Sequence, residues 1–270
     1  MLLPYSASRR RALQLGAAAS VSPWLMVSAH AEITSLNEAI NKAGRQRMLS
    51  QRMAKAWLAK GQGINPVRAE KIMLDSMALF DRQVIELKAY APSPEIKATY
   101  ASLEPIWSHY KTALIGQSPA IGSTAGLLAL DSQVLKLAHQ GTVQLEKYSG
   151  RPIATLVNMA GRQRMLSQRT AKFYLSLTWG AEAPNASQDL STAREEFTIA
   201  LQTLTRAPET TAAIRQELGL AQQQWVFFDN ALSMRKEKSG ANRRARDVFS
   251  TSEHILDIMD KVTGMYSKLT

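Results

Sequence analysis

Residues Ala43 to Arg52 read Ala-Gly-Arg-Gln-Arg-Met-Leu-Ser-Gln-Arg, and the same ten residues return from Ala160 to Arg169. A chain with such a duplication folds as two copies of one unit, because each copy carries the same local instructions. Repeats ordinarily keep an apolar pattern and let the polar positions drift. This one keeps three arginines, two glutamines and a serine. The two copies therefore share a polar task, and arginine in such a place points to an anion.

The duplication runs well beyond the motif. Asn41 matches Asn158, and Ala54-Lys55 matches Ala171-Lys172. Phe80 and Leu87 find Phe197 and Leu204 at the same offset of 117. Trp107, Ala113-Leu114 and Tyr148-Ser149 match Trp225, Ala231-Leu232 and Tyr266-Ser267 at an offset of 118. The one-residue change falls near Pro92-Ser93-Pro94 and Ala207-Pro208, where a loop absorbs an insertion. The units are residues 32–149 and 150–270, each of an ordinary domain size.

Inside each unit the Gly and Pro punctuation predicts four helices: 33–60, 66–90, 94–116 and 123–149, then 152–179, 186–206, 208–236 and 241–268. No run alternates as a strand does. Pro105 is expected to kink or shorten the third helix. The fold expected is all-α, two tandem up-down-up-down four-helix bundles related by internal duplication.

Residues 1–31 stand apart from that fold. Ser8-Arg9-Arg10-Arg11-Ala12-Leu13-Gln14 resembles a twin-arginine export motif, and Ala29-His30-Ala31 has the form of a signal-peptidase site. The expectation is a signal peptide and a mature, soluble, periplasmic protein beginning at Glu32. The alternative is an uncleaved anchor, against which Pro23 and the alanine-rich stretch argue. Absence of cysteine excludes disulfides, thiolate metal sites and cysteine nucleophiles. The formal charge is +11, to which Arg9, Arg10 and Arg11 contribute three. On an exported chain that balance suits small anions or an anionic envelope surface, with no nucleic acid among the partners.

Placed on a helix, the first motif presents Leu36, Ile40, Ala43, Arg47, Ser50, Ala54 and Trp57 along one seam. The second presents Ile153, Val157, Ala160, Arg164, Ser167, Ala171 and Tyr174. Each seam starts apolar, becomes small, and then offers an arginine, with Gly44 or Gly161 beside it to admit another backbone. Such an arginine faces a neighbour. Left unpartnered in a core it would cost roughly 3–5 kcal/mol. Its planar fork of donors fits an oxyanion two bonds at a time. At about 6 Å from each other, Arg47 and Arg164 would repel by about 3 kcal/mol at an effective dielectric near 20. An anion between them reverses that sign. The alternative partners are carboxylates of the bundle, such as Asp75 or Asp131. Arg45 and Arg52 are read as solvated or supporting residues.

The pattern Ala-Gly-x-x-Arg-Met-x-Ser-x-Arg resembles the sensing helix of the nitrate/nitrite sensor kinases NarX and NarQ. In its extended form it resembles the PilJ-type N-terminal domain of type IV pilus methyl-accepting chemotaxis receptors. The resemblance covers both units. It implies that Arg47 and Arg164 bind the anion, since in the kinases one arginine per subunit does so at a dimer interface. Gly44, Met48, Ser50 and Arg52 match, as do Gly161, Met165, Ser167 and Arg169; Gln51 and Gln168 join them as supporting residues. Those receptors span a membrane and continue into a signalling module, whereas the present sequence stops at Thr270. They also supply one motif per subunit, whereas two occur here. Duplication builds the dimer into one chain if Ser149-Gly150-Arg151-Pro152 breaks the path between helices four and five. If those helices run on as one rod, the motifs separate.

His30, His109, His139 and His254 show no metal-ligand spacing and are read as surface or boundary residues. Met48, Met53 and Met165 are read as packing, and Trp107 and Trp225 as core anchors. No catalytic motif is visible, so no enzyme, metal or cofactor is expected. The function expected is sensing of nitrate, nitrite or a similar small oxyanion, with output through an envelope partner such as a membrane sensor, a transporter or a pilin. The alternatives are a PilJ-like interaction module that contacts a pilin or another envelope protein without an anion, and a purely structural bundle.

Overall fold

Ser35 opens the first helix, α1 (Leu36–Gly61), by accepting the Glu38 amide at 3.2 Å, while the Glu38 carboxylate reaches back to the Thr34 amide at 3.0 Å. Proline stands in the first turn of α2 (Pro66–Tyr90), α3 (Pro94–Ile115) and α5 (Pro152–Trp179), where its missing N–H costs nothing. The remaining helices are α4 (Ile121–Ser149), α6 (Ala186–Arg206), α7 (Ala212–Ser233) and α8 (Ala241–Tyr266), with a single 3-10 turn at Met234–Lys236 after α7. This computed structural model describes residues 32–181, 185–237 and 239–269. The expected leader and its cleavage point lie outside the described residues. No strand occurs among the described residues, and none of their helices is long and apolar enough to cross a membrane.

The fold is the expected all-α duplicated bundle. Between α4 and α5 the chain turns at Gly150, whose φ of +62° suits the residue without a Cβ, and α5 starts afresh at Pro152. Two local expectations are corrected. Helix α3 is not shortened at Pro105 but runs on to Ile115, with the proline and Ala101, the residue four earlier, both facing solvent. Helix α7 starts at Ala212 and not at 208, because Thr210 is spent on a tertiary contact. Its buried hydroxyl donates to the Leu204 carbonyl and meets the Tyr266 hydroxyl, both at 2.6 Å. The cap falls to Thr211, which accepts the Ile214 amide at 3.3 Å.

In the first repeat α1 packs on α2 and α4, and α3 packs on α4; in the second, α5 packs on α6 and α8, and α7 on α8. The most extensive packing of all joins the repeats, α1 against α5. Both motif helices are consequently wrapped on nearly every side. Each repeat keeps its own aromatic anchor at matching positions, Phe80 stacked on Trp107 at 4.1 Å and Phe197 on Trp225 at 3.9 Å.

Polar clasps fasten the two repeats together. Lys55 of α1 is fully buried and bonds Glu253 of α8 at 2.5 Å and the Ser252 hydroxyl at 2.8 Å. Its counterpart Lys172 of α5 bonds Asp131 of α4 at 2.6 Å. Each repeated lysine thus crosses to the fourth helix of the other repeat. Burial holds the Lys55 ammonium down at about 8 despite Glu253. Burial opposes ionisation of Glu253 as well, yet Lys55 and Arg52 together hold that carboxyl down at about 2.

Candidate anion site at the helix crossing

Helices α1 and α5 cross where Gly44 meets Gly161. A Cβ on Gly44 would stand 3.9 Å from the Gly161 Cα, 3.2 Å from Arg47 Nη2 and 3.5 Å from Arg164 Nη2. A Cβ on Gly161 would meet the same two nitrogens at 3.7 and 3.2 Å. The glycines therefore make room for two guanidinium groups side by side in the interior. Arg47 is 1 % exposed and Arg164 is 0 % exposed.

Each arginine reaches over the crossing to the asparagine of the other motif. Arg47 Nη2 donates to the Asn158 side-chain oxygen at 2.7 Å and to its main-chain carbonyl at 3.3 Å. Arg164 Nη2 donates to the Asn41 main-chain carbonyl at 3.0 Å. There the symmetry ends. Arg164 Nη1 is ion-paired with Asp260, which also takes Arg45 at 2.7 Å. Among the described residues Arg47 meets no carboxylate within ion-pair distance; its Nη1 lies 3.2 Å from His139 Nδ1. The Nε of Arg47 has no hydrogen-bond partner in the protein, and neither has that of Arg164.

The electrostatics follow from this geometry. Burial, then repulsion from Arg162 and Arg164, brings the Arg47 guanidinium down to about 9. Burial brings Arg164 down to about 10, with Asp260 working against the shift and Arg45 adding to it. Burial, then Arg47 and Arg162, lowers His139, so its ring is neutral at pH 7 and Nδ1 accepts the bond from Arg47.

Arg47 opens onto a cavity of about 280 Å³ between α1, α4 and α5. Lys136, His139, Arg162 and Arg169 line it with Arg47, and Leu135 and Met165 form an apolar stretch of wall. No carboxylate lines it. Arg162 and Arg169 are held from the α6 side, by Glu196 at 2.8 Å and Asp189 at 3.0 Å. The cavity is cationic and large enough to admit a small anion. Among the described residues no group of His, Cys, Asp or Glu is arranged to hold a metal.

The other sequence-picked residues divide between framework and rim. Ser50 and Ser167 donate to the main-chain carbonyls of Arg47 and Arg164, at 2.9 and 2.8 Å. Gln51 donates to Asp131 at 2.7 Å and Gln168 to the Ser252 carbonyl at 2.8 Å, so both join the clasps. Arg52 is bound to Glu253, with its Nε at 3.1 Å, whereas Arg169 reaches the cavity. Neither carboxylate considered for the arginines reaches them. Asp75 pairs with Lys71 at the surface, and Asp131 is taken by Lys172 and Gln51. His139, read as a surface or boundary residue, is exposed as read, and it also bonds the buried arginine, because α4 packs directly on α1. The sequence reading also missed Asp260 and Lys136. Both stand where the repeats differ, so the identity that disclosed the motif gave no signal for them.

The fold defines an all-α module built from two like halves that meet at their motif helices. The chain belongs to the PilJ family, described as the type IV pili methyl-accepting chemotaxis transducer N-terminal domain, whose model matches twice, over residues 29–135 and 149–263. No curated protein and no solved structure matches the chain.

Proposed function

We propose that this protein is an exported, periplasmic sensor that binds a small planar oxyanion, of the nitrate or nitrite kind, at the crossing of its two motif helices. Arg47 is the principal receptor and Arg164 stands beside it. One observation carries this reading: Arg47 is buried, charged and without a carboxylate, at the inner end of a cavity lined by other cations. A site of that kind is strained when empty and relaxed when filled, so the anion shifts the balance between states of the α1–α5 crossing. An envelope protein that prefers one of those states would read the change. Linkage then requires the partner to alter anion affinity by the factor with which the anion alters partner affinity.

Thermal unfolding at constant ionic strength, with nitrate, nitrite, acetate and chloride in turn, tests the proposal. A ligand of the folded state adds about 2.7 kcal/mol at a hundred times its dissociation constant. The expected result is stabilisation by one or more planar oxyanions that disappears in Arg47→Ala. An unfolding midpoint indifferent to every anion sinks the reading.

A further inference from the structure

The fourth helices of the two repeats can be superposed residue by residue, and at three positions between Leu135 and Thr142 α8 carries an acid where α4 has none. On α4, Leu135 and His139 line the cavity with Arg47, and Thr142 follows about one turn after His139. Their counterparts on α8, 118 residues later, are Glu253, Asp257 and Asp260. Two of those acids are already taken within the protein: Asp260 by Arg164 and by Arg45 of α1, and Glu253 by Arg52 and Lys55 of α1. Helix α8 therefore brings two carboxylates to the cations beside Arg164 and along α1. Around Arg47 the matching cations Arg162 and Arg169 are held by Glu196 and Asp189 of α6, Arg47 itself meets no carboxylate among the described residues, and an apolar wall stands where Glu253 would, beside a cavity of about 280 Å³. That is several times the space of a three-oxygen ion, taking about 30 Å³ for a molecule the size of water. Lys136 adds one more cation at the rim, exposed and without a carboxylate partner.

We propose that the Arg47 cavity binds an organic dicarboxylate, one carboxylate on Arg47 and Arg162 and the second toward Lys136 and Arg169, in the manner of the second half's own Asp260 and Glu253. The proposal rests on the reading of Arg47 as an anion receptor and specifies its ligand. Leu135 and Met165 lie against the carbon chain between the two charged ends. Asp260 and Glu253 stand two turns apart on α8, about 10 Å along the axis. A chain of four to six carbons between long, convergent arginine and lysine side chains suits that span. The duplicated protein thus has one open site and one filled from within, and binds one ligand per chain.

Calorimetric titration of the purified protein with nitrate, acetate, succinate, glutarate and adipate tests this. The best dicarboxylate should bind at least tenfold more tightly than acetate, with one site per chain. Lys136→Gln, a change at an exposed residue, should weaken the best dicarboxylate more than acetate and so remove that advantage. Thr142→Asp, which gives α4 the acid that α8 carries at Asp260, should fill the site from within and abolish dicarboxylate binding while raising the unfolding temperature. If acetate or nitrate binds through Arg47 and no dicarboxylate binds more tightly, the dicarboxylate assignment falls and the oxyanion reading stands. If the dicarboxylate advantage survives both Lys136→Gln and Thr142→Asp, the assignment to this cavity is wrong. Failure of every anion to bind overturns the sensor reading and this one with it.

Discussion

Arg47 and Arg164 lie side by side at one helix crossing, yet only Arg164 is paired with a carboxylate. Asp260 supplies that partner, and the position equivalent to Asp260 beside Arg47 is Thr142. Identical motifs therefore sit in unlike electrostatic surroundings.

The two arginines should respond differently to removal. Arg47→Ala is expected to abolish anion-induced stabilisation while leaving the unliganded protein within about 1 kcal/mol of the parent, since it deletes a charge that lacks a counter-charge. Arg164→Ala should cost about 1–2 kcal/mol without ligand and only weaken anion binding. The cost is modest because the Asp260 side chain is 42 % exposed and keeps Arg45. Denaturant titrations with and without anion measure both effects. Equal responses of the two variants would contradict the asymmetry.

The clasp between Lys55 and Glu253 should behave as a buried ion pair. Glu253→Gln leaves the Lys55 ammonium buried without a counter-charge and should destabilise by about 3–5 kcal/mol. Adding Lys55→Met should recover most of that loss, and a double-mutant cycle reads the coupling.

Acid should loosen the same clasp. Glu253 has a folded value near 2 against an ordinary 4.5, so the unfolded chain binds more protons between those values. Its stabilisation is complete above about pH 4.5 and is lost as the pH falls toward 2. Circular dichroism unfolding across that window should show the fall, and Glu253→Gln should flatten it.

His139 should make anion binding sensitive to pH. Its folded value lies below the ordinary 6.5, so in the empty protein its contribution to stability is lost as the pH falls from 6.5 through the folded value. Arg47 and Arg162 oppose its protonation, while Glu146 and Glu196 favour it. An anion in the cavity adds to the second group and raises the value. Nitrate affinity should therefore rise several-fold between about pH 7.5 and pH 5.5, and His139→Gln should remove the slope. Flat behaviour in the parent protein would show that the imidazole does not face the ligand.

Export is tested at the other end of the chain. Changing Arg9 and Arg10 to lysine should block passage if the twin-arginine route is used, and N-terminal sequencing of the exported protein should begin at Glu32. Unchanged export would assign the general secretory route, and an intact N-terminus would assign an anchor.

The sequence by itself determined the helices, the duplication and the stripe on which each arginine lies. These follow from local rules: caps such as Ser35 and Ser93, prolines in first turns, Gly150 at a left-handed turn, and a seam stepping by three and four. It also placed Gly44 and Gly161 where the helices approach closely, since a Cβ at either would stand 3.2 Å from an arginine Nη2. What it left open was which charges meet. Asp131 looked available to an arginine, but α4 and α5 deliver it to Lys172 instead. Asp260 lies 96 residues from Arg164 and reaches it only because α8 packs on α5. Periodicity fixes the face on which a side chain lies and says nothing of what the facing helix brings to it. The open cavity at Arg47 and the internally filled site at Arg164 were therefore decided by tertiary packing, through pairings whose energies depend on a few ångströms of separation and on exclusion from water.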